Sequence, residues 1–437
     1  MFIHIHWRYN MFKRLATTAV VLVIVGGSAM ADAKMGGIAR HIAMGGAGGG
    51  VAAFNPFIFE DPAWQYVNPA YQGMYKDYGW SNIGGGTLSG PSTGDNGYGM
   101  QHGGINFSVG DGWAVGTVLG FDPSAANTVL GGIAPGGFGP VSGLNWSPVE
   151  VLEGVTSYGW DHSHVGFAVM YGWTNEESID PTLGTSELSA SVIGFRAGIH
   201  HDMGSGDAVE ASAAFRSSTG DDKNSLATAN TEGSATEILA AARLRCRVNN
   251  KVNFVPYAAF ASASGDAKSG GTTVADLTRT AFALGVGGEI TSGDLYLAGG
   301  LSFAWSKDEN ISTVGTTSST TTSTSTEFPV LNLGGEWWFT DWLAGRAGYF
   351  RTFSSSKSEF ATGTMTFENT SFGGSSFVSV GGYGSDDLVV LGLASRFGNF
   401  ALETTVSEEA LRRGFGLVGA QDNINSFGYF TASWNFE

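Results

Sequence analysis

From about Lys76 to its last residues the chain alternates with a period of two. Segments of roughly ten to thirteen residues carry apolar side chains on every second position, joined by connections that are alternately tight and long. One segment sets Phe282, Leu284, Val286 and Ile290 on one face and Arg279, Ala281, Ala283, Gly285, Gly287 and Glu289 on the other. Repeated this often with no helix-length segment between, the pattern specifies a closed sheet in a lipid bilayer. Lipid offers backbone N–H and C=O groups no water, and a closed antiparallel barrel pairs them all without leaving an edge. The predicted fold is therefore all-β, a transmembrane antiparallel β-barrel of about 14–16 strands in an outer membrane.

Composition supports one barrel rather than two or three soluble domains. Charged residues are 14% of the 437, aromatics are 12%, and glycines number 67; a soluble globular chain carries roughly 25% charge. Beyond residue 31 no apolar run reaches the ~18–20 residues of a membrane helix. The net charge of −17 argues against nucleic acid, which calls for Lys/Arg patches. The one cysteine, Cys246, excludes a disulfide framework and a Cys-rich metal or cluster site. It falls on the apolar face between Leu244 and Val248.

The first 31 residues have the form of an export signal. Lys13 and Arg14 precede an apolar stretch over residues 16–25, and Ala29-Met30-Ala31 is a small-x-small cleavage site. Met11 is a natural start for it, so His4 and His6 are not read as ligands.

The pattern predicts sixteen strands, near 76–86, 98–109, 113–121, 152–161, 164–174, 187–200, 207–217, 236–248, 251–262, 278–290, 294–306, 327–339, 342–353, 388–397, 399–407 and 426–436. Short turns fall at Gly110-Asp111-Gly112, 161–164, 201–206, Asn249-Asn250, Ser292-Gly293, Thr340-Asp341 and Gly398. Long loops fall at 122–151, 218–235, 263–277, 307–326, 354–387 and 408–425. Short periplasmic turns and long external loops are the habit of such barrels, which places both termini in the periplasm. The stretch STVGTTSSTTTSTST at 312–326 is low in complexity and expected as a solvated loop. Trp337, Trp338, Phe339, Trp342, Trp434 and Phe436 cluster beside the short turns, as an interfacial aromatic girdle does.

Residues 36–75 carry a different signal. Ala43-Met44-Gly45-Gly46-Ala47-Gly48 leads to Asn68-Pro69-Ala70, and this pair of motifs resembles the start of the long-chain fatty acid transporter superfamily, including its PorV-like branch. Gly335-Glu336-Trp337-Trp338 with Arg346-Ala347-Gly348-Tyr349 is similar to the family's late hairpin. Between the expected signal peptide over 1–31 and the expected barrel over 76–437, the resemblance implies a hatch over 32–75 that enters the lumen. It implies hatch residues Met44, Gly45, Gly46, Asn68, Pro69 and Ala70, and ligand leaving sideways through the wall. It also implies fourteen strands, two fewer than the pattern gives, and residues 54–63 lengthen the hatch. A Gly-rich segment is disordered alone; enclosed by a barrel it turns tightly, with Pro56, Pro62 and Pro69 fixing its bends.

With apolar faces toward lipid, the opposite faces assign Arg196, Glu210, Arg216, Glu237, Arg243, Arg245, Arg247, Arg279, Glu289, Glu336, Arg346, Arg396 and Glu403 to the lumen. Both signs are present, so ion pairs across strands are expected, with Glu336 opposite Arg346. Arg243, Arg245 and Arg247 form a basic ladder that either draws a carboxylate or phosphate by bidentate bonding or pairs with Glu210 and Glu237. The apolar hatch residues Met44, Phe54, Phe57, Ile58, Phe59 and Trp64 either line a greasy pocket or pack the plug.

Catalytic chemistry finds little footing. His162-Ser163-His164 and His200-His201-Asp202 lie in short turns, where a solvated role outweighs a metal site. No H-E-x-x-H, P-loop or C-x-x-C-H motif occurs in residues 32–437. The expectation is a non-enzymatic barrel with no cofactor and no metal, partnered by outer-membrane lipid, by assembly machinery during biogenesis and by a small apolar ligand. Three roles follow: a hatch-gated transporter of small hydrophobic molecules, a PorV-like binder of secreted cargo, or a general diffusion porin.

Overall fold

The computed structural model describes residues 35–46, 54–84, 102–120, 150–180, 184–224, 230–314, 317–360, 387–406 and 427–436. Its strands in chain order are β1 Tyr78–Gly84, β2 His102–Val109, β3 Trp113–Gly120, β4 Glu150–Trp160, β5 Ser163–Asp180, β6 Gly184–Asp202, β7 Ala208–Asn224 and β8 Thr231–Asn249. The rest are β9 Val252–Ser269, β10 Thr272–Ser292, β11 Leu295–Val314, β12 Thr317–Thr340, β13 Leu343–Phe360, β14 Asp387–Phe397, β15 Phe400–Val406 and β16 Phe427–Asn435. Every strand pairs with its sequence neighbour, all antiparallel, and β1 closes on β16. Sixteen strands stand, against the fourteen of the resemblance. The chain is a closed all-β barrel.

The sequence alternation sets which way each wall residue points. Leu284, Val286 and Ile290 are exposed on the outer face, while Ala281, Ala283 and Glu289 are buried inside. Trp113, Trp160, Trp337, Phe339, Trp342, Trp434 and Phe436 are exposed near the short-turn end, the belt an interface favours. Trp338 is the exception: it faces inward beneath Arg396, 4.6 Å from guanidinium carbon to ring centroid. Cys246 stands opposite the outward Phe254, in line with Leu244 and Val248.

Strand length departs most from expectation. The segments 218–235, 263–277 and 307–326, expected as loops, are largely ladder. β9 and β10 meet in a tight turn at Gly270-Gly271. β12 runs 24 residues, roughly 80 Å of chain at ~3.3 Å per residue, against an apolar band of about 25 Å. The Ser/Thr tract pairs on both sides, Ser323 with Asp308 and with Ser358. Alternation records lipid contact, not strand. Above the lipid both faces are wet, the pattern fades, and β-branched threonines continue the ladder without it. The expected signal segment and most of the expected loops at 122–151, 354–387 and 408–425 lie outside the described residues.

A sixteen-stranded barrel encloses space that wall side chains alone do not fill. Here residues 35–46 and 54–77 lie inside it. Their buried side chains touch β3, β4, β5 and β6 on one side and β10 to β16 on the other. A segment in contact with opposite walls of a closed ring is within the ring.

Candidate functional site

The enclosed segment is held in shape by its own short-range bonds. Helix Ile38–Ala43 is one and a half turns long, too short to persist alone. Asp61 starts a 3-10 turn, Pro62–Tyr66, by accepting from Ala63 N at 2.8 Å, with proline at the first helical position. Asn68 Oδ1 accepts from Ala70 N at 3.0 Å, a tight turn that leads into helix Tyr71–Met74. Asn68 Nδ2 donates to Ile199 O of β6 at 2.9 Å. Asn68-Pro69-Ala70 is thus a turn and an anchor at once.

The wall makes room with glycine where the segment's backbone presses on it. A Cβ at Gly334 would lie 2.2 Å from Met44 O, one at Gly348 2.2 Å from Gly45 N, and one at Gly166 2.1 Å from the Pro69 carbonyl carbon. Gly45 itself has φ +83 and sits against Leu333 O, a conformation and a fit that admit no side chain. Met44 is buried with Ile58 and Ala298, Asn332 Nδ2 donates to Gly45 O at 2.7 Å, and Gly46 N donates to His41 O at 2.8 Å.

Charge carries the rest of the attachment. Arg40 reaches Asp61 Oδ2 at 2.9 Å within the segment and Glu336 Oε2 at 3.2 Å on β12. Glu336 also accepts from Arg346 Nε at 2.6 Å, and Arg346 bonds Glu403 of β15 at 2.8 Å. Five alternating charges therefore run from segment to wall. His41 lies 3.5 Å from Asp61. Burial holds the His41 imidazole below its ordinary value of 6.5. For Asp61 burial acts upward, but His41 and Arg40 beside it outweigh that and keep it below 3.8.

On the opposite wall Arg243 pairs with Glu210 and donates to four more acceptors, Pro56 O at 2.9 Å, Ile58 O at 2.8 Å, Phe59 O at 3.1 Å and Tyr71 Oη at 3.2 Å. Arg245 pairs with Glu60 of the segment. Arg196 pairs with Glu153 and donates to the carbonyls of Gln65 and Tyr66. Glu289 accepts from Phe59 N at 2.8 Å.

Most of the expected lumenal residues face inward. Arg247 is exposed at the rim on Ser205 O and Asn250, and Arg396, over the inward Trp338, bonds Asp341 O at the same end. The basic ladder is not an open anion site, because its upper two rungs grip the segment and the third, near the end of β8, is bonded at the rim to Ser205 O and Asn250. Arg216 pairs with Glu237 and Arg279 with Asp308, both within the wall. Expectation missed Asn55, Asp61, Glu153, Glu327 and Asn332. Asp61-Pro62 was a legible cap, and Glu153 has the inward parity of its strand. Ser163 bonds His201 Nδ1 at 2.8 Å across β5 and β6; among the described residues no group of three or more His, Cys, Asp or Glu is placed to hold a metal.

Over the segment, on the side away from the short turns, is a cavity of about 100 Å³. Phe54, Pro56, Trp64 and Val67 form its floor, and Ala241, Ala259, Ala281, Ala283 and Ala304 its sides. Short alanines leave room and keep the surface apolar. Of the enclosed segment's apolar residues, Phe54 and Trp64 line this space; Met44, Phe57, Ile58 and Phe59 are fully buried packing.

No family model and no curated protein matches the chain. Among solved structures it is similar to the Pseudomonas putida toluene transporter TodX, at 11% identity and TM-score 0.39 over 92% of this chain and 99% of that one. It is also similar to the siderophore receptor PiuA from Acinetobacter baumannii, at 10% identity and TM-score 0.41 over 76% and 57%. A third is the alcaligin outer membrane receptor FauA from Bordetella pertussis, at 9% identity and TM-score 0.38 over 82% and 75%. Overlaps this partial, at identities this low, say nothing about substrate.

Proposed function

We propose that this chain is an outer-membrane transporter that admits small apolar molecules into its lumen past the N-terminal segment, which serves as a hatch. The observation that carries the reading is the cavity bounded by Phe54 and Trp64 below and by an alanine wall around it. A water-filled pore has no use for a greasy chamber on a plug, and a plug fixed at so many points argues against a general porin. The short turns face the periplasm, so a molecule enters between the tall strands, rests on the hatch and leaves when the hatch shifts.

Single-channel conductance in a planar bilayer tests this. The intact protein conducts little, a variant lacking residues 36–70 conducts steadily, and butylbenzene alters the intact protein's current. Large, steady current from the intact protein, indifferent to hydrocarbon, sinks the transporter and restores the porin.

A second reading rests on the height of β5 to β13, whose polar upper walls stand clear of any lipid. Such a surface suits a PorV-like binder of secreted protein, which would co-purify with its cargo and keep it when the lumen is blocked.

A further inference from the structure

Two acids line the cavity, and while Glu210 is paired with Arg243, Glu327 has no such partner. Glu327 of β12 is 9% exposed; its Oε2 accepts a long bond of 3.4 Å from Thr352, and its Oε1 has no partner. The side chains around it are neutral: Ala304 and Ser306 on β11, Ser325 on β12, Phe350 and Thr352 on β13. Among the described residues no cation pairs with it. A buried carboxyl without partners is costly, and every other acid of the hatch region (Asp61, Glu153, Glu210, Glu289, Glu336, Glu403) is bonded to an arginine or to donors of the segment.

The cation on the cavity floor is already saturated. Arg243 has five N–H donors. Glu210, Pro56 O, Ile58 O, Phe59 O and Tyr71 Oη take all five. A carboxylate head entering the cavity finds no free cation there, only the hydroxyls of residues such as Ser302, Ser306 and Ser325, and meets the Glu327 carboxyl in a low-dielectric space. A donor head on an apolar body does the reverse, filling the open oxygen while its body lies on Phe54, Trp64 and the alanines.

We infer that Glu327 selects the cargo: small apolar molecules with a hydrogen-bond donor head, primary amines foremost, with carboxylates refused. The inference rests on reading the cavity as the ligand site. It is a statement about head group, and that reading survives without it.

Calorimetry on the full-length barrel in nanodiscs separates the two. The probes share one body: 4-phenylbutylamine, butylbenzene and 4-phenylbutanoate. The variants are Glu327→Leu, which removes the acceptor, and Ala283→Phe, which fills the cavity, each checked for a folded barrel by heat-modifiable gel mobility. Expected is an amine bound at least about tenfold more tightly than butylbenzene, the worth of one hydrogen bond to a charged group. The butanoate is weakest. Glu327→Leu erases the amine's advantage and leaves butylbenzene bound, and Ala283→Phe weakens all three. If the probes bind alike and Ala283→Phe weakens them while Glu327→Leu does not reorder them, the cavity is the site and the head-group inference is overturned. If Ala283→Phe weakens none, the cavity is not the site, and both fail.

Discussion

Glu336 of β12 stands directly opposite Arg346 of β13, Oε2 to Nε 2.6 Å, and the same carboxylate oxygen also accepts from Arg40 of the enclosed segment at 3.2 Å. One wall residue thus serves two masters, the strand beside it and the plug beneath it. The two arginines are separable by mutation. Arg346→Met strands Glu403 in a buried site, leaves Glu336 with Arg40 alone and is expected to cost the barrel about 3–5 kcal/mol. Arg40→Met leaves Glu336 paired with Arg346, so the barrel's unfolding midpoint in urea stays close to wild type while the hatch loosens and conductance rises. Equal losses of barrel stability from the two variants would contradict this division.

The glycine contacts give a second handle on the enclosed segment. Gly348→Val drives side-chain atoms into the Gly45 backbone, where even a Cβ would sit 2.2 Å away, whereas nothing lies within 4 Å of a Cβ at Gly154. Gly348→Val is expected to displace the segment and open the lumen to steady current. Gly154→Ala behaves as wild type in the same bilayer.

Acid should free the hatch in two stages. Both His41 and Asp61 titrate below their ordinary values when docked, so the free segment binds more protons and docking weakens as pH falls. For His41 the loss begins below its ordinary 6.5 and runs to its docked value. For Asp61 docking stability is fully present above 3.8 and is lost as pH falls through the docked value. Conductance followed from neutral to acid pH therefore rises in two steps, and His41→Asn removes the first. A rise toward alkaline pH has the wrong sign and rejects the scheme.

The Ser/Thr tract of β12 is expected to resist protease. Ser323 is paired on both flanks and its hydroxyl lies 3.0 Å from that of Ser358. Ser323→Pro removes a ladder donor from a strand paired on both sides and is expected to bring new cleavage in the region of residues 307–326. Prompt cleavage of the wild-type tract would return it to a loop.

Wall orientation was legible because lipid imposes it: Leu284 and Glu289 could not exchange faces without each landing in the wrong solvent. Glu336 opposite Arg346 followed from one turn and a period of two. Strand length was not legible, since Thr320 and Ser323 sit where both faces are wet and no alternation is required. Nor was the occupation of Arg243 and Arg245. Their partners, Pro56 O, Ile58 O and Glu60, lie nearly two hundred residues away, and three of the acceptors of Arg243 are backbone carbonyls that any sequence would offer. Glu327 escaped because it opened its predicted strand, where inward and outward had not yet been assigned.

Ala39 N donates to the hydroxyl of Thr431, 392 residues further along. The portion of this segment made first thus completes its bonding only against the strand made last. Until β16 closes on β1 there is no Thr431 at that place to receive Ala39. A barrel with an open seam is for that reason an unplugged one, and the docked segment certifies that the ring has shut.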